Sequence, residues 1–153
     1  MNRSHLSMHV GHVTAAIRAC WNSEGRSDNA ARMLYSFMLD IGLEPNIVTF
    51  TCLLGAHEAA SVEDIWKIYT DMQQAGVQAD VVFAETFLIT VLRKPKAVKW
   101  DYDEAVVALR GLEPHRIQAA QAALMHFKKT KVRLSTLSSR IDRALQRIAA
   151  EGT

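Results

Sequence analysis

Where a sequence offers chemistry, it does so through polar side chains spaced so that one element brings them together. Three histidines, His5, His9 and His12, stand four and three residues apart, so a helix would place them on one face. Two histidines at i and i+4 can hold zinc, but no nearby Cys, Asp or Glu completes a ligand set, and surface histidines of a first helix are the plainer explanation. Asp101, Asp103 and Glu104 form an acidic cluster of the kind a metal-dependent nuclease uses. Here the simpler expectation is an N-cap followed by first-turn acids that the helix dipole favours. Cys20 and Cys52 are too few for a disulfide framework or a zinc site, and each lies on the apolar side of a helical pattern, so buried reduced thiols are expected. His57 sits on an inward stripe and reads as a satisfied core histidine. Trp21, Trp66 and Trp100 read as packing anchors. There is no Gly-rich phosphate loop, nucleophile elbow or thiol redox pair. The sequence therefore points to no enzyme, cofactor, metal or small-molecule substrate.

The elements that must carry these residues follow from composition and pattern. The 153 residues are 49% hydrophobic and 22% charged, with seven Gly and three Pro. That is too apolar for a disordered chain and too poor in turn formers for a many-stranded sandwich. The longest nearly uncharged run, residues 83–92, is half of what a bilayer span needs. A soluble, intracellular, mostly helical protein is expected, with no membrane partner. The first 21 residues hold Arg3 and Arg18 and no acid, a faint likeness to an organellar presequence, yet they run directly into a helical pattern. The chain begins inside repeat-like sequence, as a piece of a longer array would.

Repetition organises the rest. Gly42, Gly76 and Gly111 are 34 and 35 residues apart and open the blocks Gly42-Leu43-Glu44-Pro45-Asn46, Gly76-Val77-Gln78-Ala79-Asp80 and Gly111-Leu112-Glu113-Pro114-His115. A glycine there supplies the left-handed residue that ends a helix, and a proline soon after prevents it from resuming. Leu34-Tyr35-Ser36 and Met38 match Ile68-Tyr69-Thr70 and Met72, and Ile47-Val48 matches Val81-Val82, all at a displacement of 34. Each unit reads as two helices. Helices are expected over 10–21, from Ser27 or Asp28 to about Met38, over 48–60, from a Ser61 cap with Asp64 imitating a capping box, over 81–93, 101–110, 114–129 and 134–150. The expected fold is all-α, a right-handed α-solenoid of about four stacked antiparallel helix pairs. Residues 1–112 hold the repeats, in units of about 10–46, 47–80 and a divergent 81–115; residues 113–153 form a basic C-terminal pair that looks like a cap.

Charge follows the same division. Up to Leu112 there are 10 Lys and Arg against 13 Asp and Glu; from Glu113 onward the balance is 8 against 3. Lys128, Lys129, Lys131 and Arg133, with Arg140, Arg143 and Arg147, are candidates for a phosphate-facing surface. The competing explanation is a solvated face of terminal helices.

A 35-residue period with two helices per unit fits two families. The tetratricopeptide Trp-Leu-Gly-Tyr pattern is absent. The run from Gly42 to Leu54 instead resembles the junction between two pentatricopeptide repeats: Gly-apolar-x-Pro-Asn/Asp, then Val-Thr-Tyr/Phe and an apolar pair. Met38 and Met72, four residues before their glycines, match that family's Met at the end of its second helix. The resemblance covers residues 10–80 and the start of a third unit.

The resemblance implies binding of single-stranded RNA at about one base per repeat, in organellar RNA processing or stability, in a mitochondrion or plastid. One side chain early in the first helix meets the base edge, the last residue of the unit helps it, and a branched apolar residue sandwiches the base. In the second unit these are Thr51, Asp80 and the valines Val48 and Val82, a combination the family uses for guanine. In the first unit they are Thr14 and Asn46, its adenine combination. The third unit departs from the pattern with Glu85 and His115. A scaffold that binds protein rather than RNA remains the alternative.

Overall fold

The computed structural model describes residues 9–22 and 28–152. His5 and Ser27 lie outside them. The described residues form eight α-helices and no strand: α1 (Val10–Asn22), α2 (Asp28–Asp40), α3 (Ile47–Ala56), α4 (Val62–Gln74), α5 (Val81–Val91), α6 (Tyr102–Arg110), α7 (Pro114–Lys129) and α8 (Thr136–Glu151). None is long and apolar enough to cross a membrane. α3 stops four residues short of expectation, because residues 57–60 turn on His57, whose backbone N–H bonds Leu54 O at 3.0 Å.

Helix starts are built from side-chain caps. Asn46, Ser61, Asp80, Asp101 and Ser135 each accept a hydrogen bond from the third backbone N–H of the helix they precede. Asp101 and Glu104 form a full capping box, so this acidic cluster has a structural role at the start of α6. Ser61 caps α4, but the Asp64 carboxylate does not return the bond. It meets Arg32 instead, at 3.3 Å.

Helix ends obey one rule in four places. After α2, Gly42 is left-handed (φ 81°) and the Leu43 N–H reaches back to Met38 O; after α4, Gly76 (φ 75°) and Val77 N–H to Met72 O repeat the arrangement. This is the Schellman closure. It explains the two methionines: each is the residue whose carbonyl accepts the closing bond, and each is buried. After α5 and α7 the same closure is made by Arg93 (φ 55°) and Lys131 (φ 61°), with Lys94 N–H on Ile89 O and Val132 N–H on Phe127 O. Gly111 is the exception and corrects the expectation. Its φ is −88°, and α6 ends in tight bonds to Ala108 and Leu109 before Pro114 opens α7.

The chain divides into two compact units between Gln78 and Ala79, two residues before the second sequence repeat ends at Asp80. The boundary suggested by the repeats, between 112 and 113, separates α6 from α7 inside the second unit. In the first unit α3 is central: α1 runs along it, α2 packs on both, and α4 covers it. Every residue of α3 from Thr49 to Ala56 is buried, and Ile17, Ala31, Met38, Ile65, Tyr69 and Met72 complete the core. Burying each large apolar chain is worth ~1.5–3 kcal/mol. An ideal Cβ on Gly55 would lie 2.2 Å from the Trp21 indole, so the ring sits directly on the α3 backbone.

In the second unit α5 packs on α7 and α8, while α6 lies along α8. Phe87 and Phe127 meet edge to face at 6.2 Å. The buried Arg116 donates from Nη1 to Val91 O at 2.9 Å, and Arg140 donates to the carbonyl of buried Trp100, tying down residues 94–101.

Candidate nucleic-acid interface

The base-reading candidates share a register. Thr14, Thr51 and Glu85 are the fifth residues of α1, α3 and α5, and Gly11, Val48 and Val82 are the second residues of the same helices. Positions three apart on a helix share a face. Asn46 and Asp80 are the residues that cap α3 and α5. The same register at α7 falls on Glu113, because the helix begins at Pro114; His115 is two residues too late and pairs loosely with Glu113 at 3.7 Å.

In the first unit the structure brings Thr14 and Asn46 together through a third residue. Thr14 Oγ1 lies 2.9 Å from Thr49 Oγ1. Thr49 Oγ1 donates to Asn46 Oδ1 at 3.1 Å, the Thr49 N–H donates to the same oxygen at 3.0 Å, and the Asn46 N–H donates to Thr49 Oγ1 at 3.2 Å. Thr49 is fully buried, while Thr14 keeps a 7% sliver of exposure. Thr51 is equally recessed and donates its hydroxyl proton to Ile47 O at 2.8 Å. One turn earlier Val48 is 45% exposed, an unusual place for a branched apolar side chain unless something flat lies on it. Thr49 was missed by sequence reasoning, although the Asn46-x-x-Thr49 spacing is itself a capping signal.

In the second unit Asp80 Oδ1 accepts from the Phe83 N–H at 2.8 Å, and Val82 is 57% exposed. Glu85 differs from both threonines. Its Oε1 accepts from the hydroxyl of Ser135, the cap of α8, at 2.6 Å. The third reading position is therefore occupied from within the unit.

The basic candidates separate as well. Lys128 is ion-paired with Asp142 at 2.7 Å across α7 and α8. Lys129, Lys131 and Arg133 are exposed at the end of α7 and just beyond it. Arg147 lies over the Tyr102 ring and 3.5 Å from Glu151, so it serves α8 packing.

The remaining candidates are structural. The His9 and His12 rings lie 5.5 Å apart and tilted at 59°, with His9 Nδ1 accepting from the Gly11 N–H. Among the described residues no group of three His, Cys, Asp or Glu could hold a metal ion. Buried His57 bonds Leu53 O through Nδ1 at 2.7 Å. Burial holds its pKa below the usual histidine value, against the opposing pull of that bond. Burial raises the Cys52 thiol pKa, so it is an inert core residue, and Cys20 is half-buried.

No protein-family model matches this chain, and no curated protein matches it. Among solved structures it is similar to the pentatricopeptide-repeat domain of Arabidopsis thaliana protein-only RNase P 1, in a crystal structure in complex with tRNA. The likeness covers 99% of this chain and 76% of that one, with a TM-score of 0.51 and 18% identity. The described residues are all-helical in their regular structure, and the chain has the helical-repeat fold of a pentatricopeptide-repeat domain.

Proposed function

We propose that this chain is a pentatricopeptide-type module that binds single-stranded RNA, with Thr14 and Asn46, and then Thr51 and Asp80, as its base-reading pairs. The observation that carries the proposal is the wired Thr14–Thr49–Asn46 cluster, at the positions that the resemblance assigns to base reading. The polarity of the second pair agrees with it. With its proton given to Ile47 O, Thr51 offers only lone pairs, and an ionised aspartate offers only acceptors. The resemblance pairs these two residues with guanine, the base whose Watson–Crick edge carries adjacent ring N–H and amino donors. The solved neighbour that shares the fold is bound to tRNA, which supports an RNA ligand.

Magnitudes set the expected strength. Two bases at ~1–3 kcal/mol each reach at most about 6 kcal/mol, a Kd in the tens of micromolar. Phosphate contacts must supply the rest. From Ala79 onward there are 13 Lys and Arg against 8 Asp and Glu, and Lys129, Lys131 and Arg133 are the exposed candidates. A role in organellar RNA processing or stability, in a mitochondrion or plastid, belongs to the same proposal.

The test is fluorescence anisotropy with short single-stranded RNAs that differ at one purine, across a range of salt. Thr51→Ala/Asp80→Ala should remove the purine preference. The triple alanine variant of Lys129, Lys131 and Arg133 should lower the salt slope by about 2. Binding that ignores salt, or a double variant with unchanged preference, overturns the reading. One feature favours a protein partner instead: Met33 and Phe37 of α2 and Ile41 just after it are exposed apolar residues, at 74%, 43% and 44% exposure. Pull-down of a partner lost on Met33→Glu, without RNA binding, would support that second reading.

A further inference from the structure

We propose that Thr49, which meets no base itself, is a positioning residue that fixes the hydrogen-bond polarity of the first base-reading pair. The inference rests on the RNA-binding reading above and adds a residue outside the reading pairs.

It follows from proton counting within one cluster, in which Thr14 and Thr49 are buried and Asn46 stands at the surface. Asn46 Oδ1 has no proton, so both bonds that reach it must be donated, one by the Thr49 N–H and one by the Thr49 hydroxyl. That commits the only hydroxyl proton of Thr49. Its two lone pairs then accept, one from the Asn46 N–H and the other from Thr14. The bond of 2.9 Å between the threonine hydroxyls thus has one sense: Thr14 donates and Thr49 accepts. Every proton and lone pair of Thr49 Oγ1 is used.

Two outward consequences result. Thr14, its proton turned inward, presents only lone pairs to a ligand. Asn46, its oxygen turned inward, presents only the Nδ2 amino group. The first pair therefore shows one acceptor and one donor, and it suits a base edge with an amino donor beside a ring-nitrogen acceptor. It does not suit the two adjacent donors of guanine. Without the Thr49 hydroxyl the residue-49 N–H still holds the Asn46 oxygen inward, but the Thr14 hydroxyl can rotate and either donate or accept. Selectivity would fall while contact remained.

The test compares RNAs made of uridines that carry a fixed guanine and, beside it, either an adenine or a guanine. Wild type should prefer the adenine strand by about tenfold, the effect of one well-formed pair of base contacts. Thr49→Val keeps the shape and branching of the side chain but removes the hydroxyl; its preference should fall below about twofold. Thr49→Ser restores the hydroxyl and should restore the preference, which a merely structural role would not require, because a ratio of two affinities cancels any loss of folded protein. A selective wild type with an equally selective Thr49→Val variant overturns the inference and leaves the RNA reading standing. A wild type that binds neither strand overturns both. If Thr49→Val does not fold, the wild-type protein still decides: the Thr14 hydroxyl proton, held in its bond to Thr49, should exchange slowly enough with water to be seen by NMR. A Thr14 hydroxyl proton in fast exchange overturns the inference.

Discussion

The two compact units use the same local grammar for different ends. In the first, the fifth positions of α1 and α3 hold threonines that bond within the protein, Thr14 to the Thr49 hydroxyl and Thr51 to Ile47 O. In the second, the fifth position of α5 holds a glutamate that the cap of α8 has already claimed. The first unit ends its second helices on Gly42 and Gly76; the second closes α5 and α7 on Arg93 and Lys131. The first carries 5 Lys and Arg against 8 Asp and Glu, the second 13 against 8. The repeat scaffold is thus held constant while its outward groups change. One unit is built to present polarity, the other to consume it in its own packing and to offer positive charge.

The sharpest way to break this contrast is at Gly55. Glycine to alanine inside a helix ordinarily stabilises by ~0.5–1 kcal/mol. Here the new Cβ would enter the Trp21 indole, a bulky ring whose nearest atoms lie 2.2 Å away. Gly55→Ala should therefore destabilise by about 3 kcal/mol, the upper range for overpacking. The corresponding ninth residue of α5 is Ile89, so the close approach belongs to the first unit alone. Urea denaturation measures it, and an unchanged midpoint would refute the tight α1–α3 seam.

Ser135 comes next. Its hydroxyl both caps α8, accepting from the Ser138 N–H at 3.0 Å, and donates to Glu85. Ser135→Ala removes both, at an expected cost of about 2 kcal/mol: roughly 1 for the cap and a similar amount for a hydrogen bond to a carboxylate. Glu85→Ala should cost less, about 1 kcal/mol, because the cap survives. The two losses should not add. A double-mutant cycle with no coupling would mean that Glu85 is available to a ligand after all, erasing the contrast with the first unit.

Opposite signs are expected at the helix ends. Gly76→Ala places a Cβ in the left-handed region and should cost about 1 kcal/mol, whereas Lys131→Gly relieves the same strain and should gain about as much. A Cβ at Gly76 would meet no crowding neighbour, so the backbone alone sets the effect there. Thermal melts that move both variants in one direction would contradict the shared closure.

These ends also show what could be read in advance. Gly42 and Gly76 were legible because glycine is the residue that sits in a left-handed turn at no steric cost, and Met38 and Met72 because they stand at a fixed distance before it. Arg93 and Lys131 make the same turn invisibly, since nothing in an arginine or lysine announces a positive φ. Gly111 misled for the converse reason: a glycine permits that conformation without requiring it. At the candidate site Thr14, Asn46, Val48 and Val82 were assigned by the resemblance alone, and the structure adds that both valines are exposed. Thr49 and Ser135 could not be foreseen. A threonine at the third position of a helix has many uses, and the partner of Glu85 lies 50 residues away in sequence.

The smallest expected effect concerns His57, at the end of α3 in the first unit. Burial lowers its pKa below the ordinary 6.5; Arg32 adds to the lowering, while the Leu53 carbonyl, Asp28 and Asp64 oppose it. The folded state therefore binds a proton less readily than the unfolded chain. Above about pH 6.5 both states hold a neutral imidazole and the contribution is complete. As the pH falls below that value the unfolded chain takes up the proton first, so stability declines, and the decline ends once the folded pKa is passed. Replacing the ring with a group that does not titrate, as in His57→Gln, should remove this share of the acid slope even though the variant is less stable at neutral pH. Urea midpoints measured from pH 7.5 to 5 test it. A wild-type slope no steeper than the variant's would mean that the imidazole is hydrated and that the core of the first unit is looser than its packing implies.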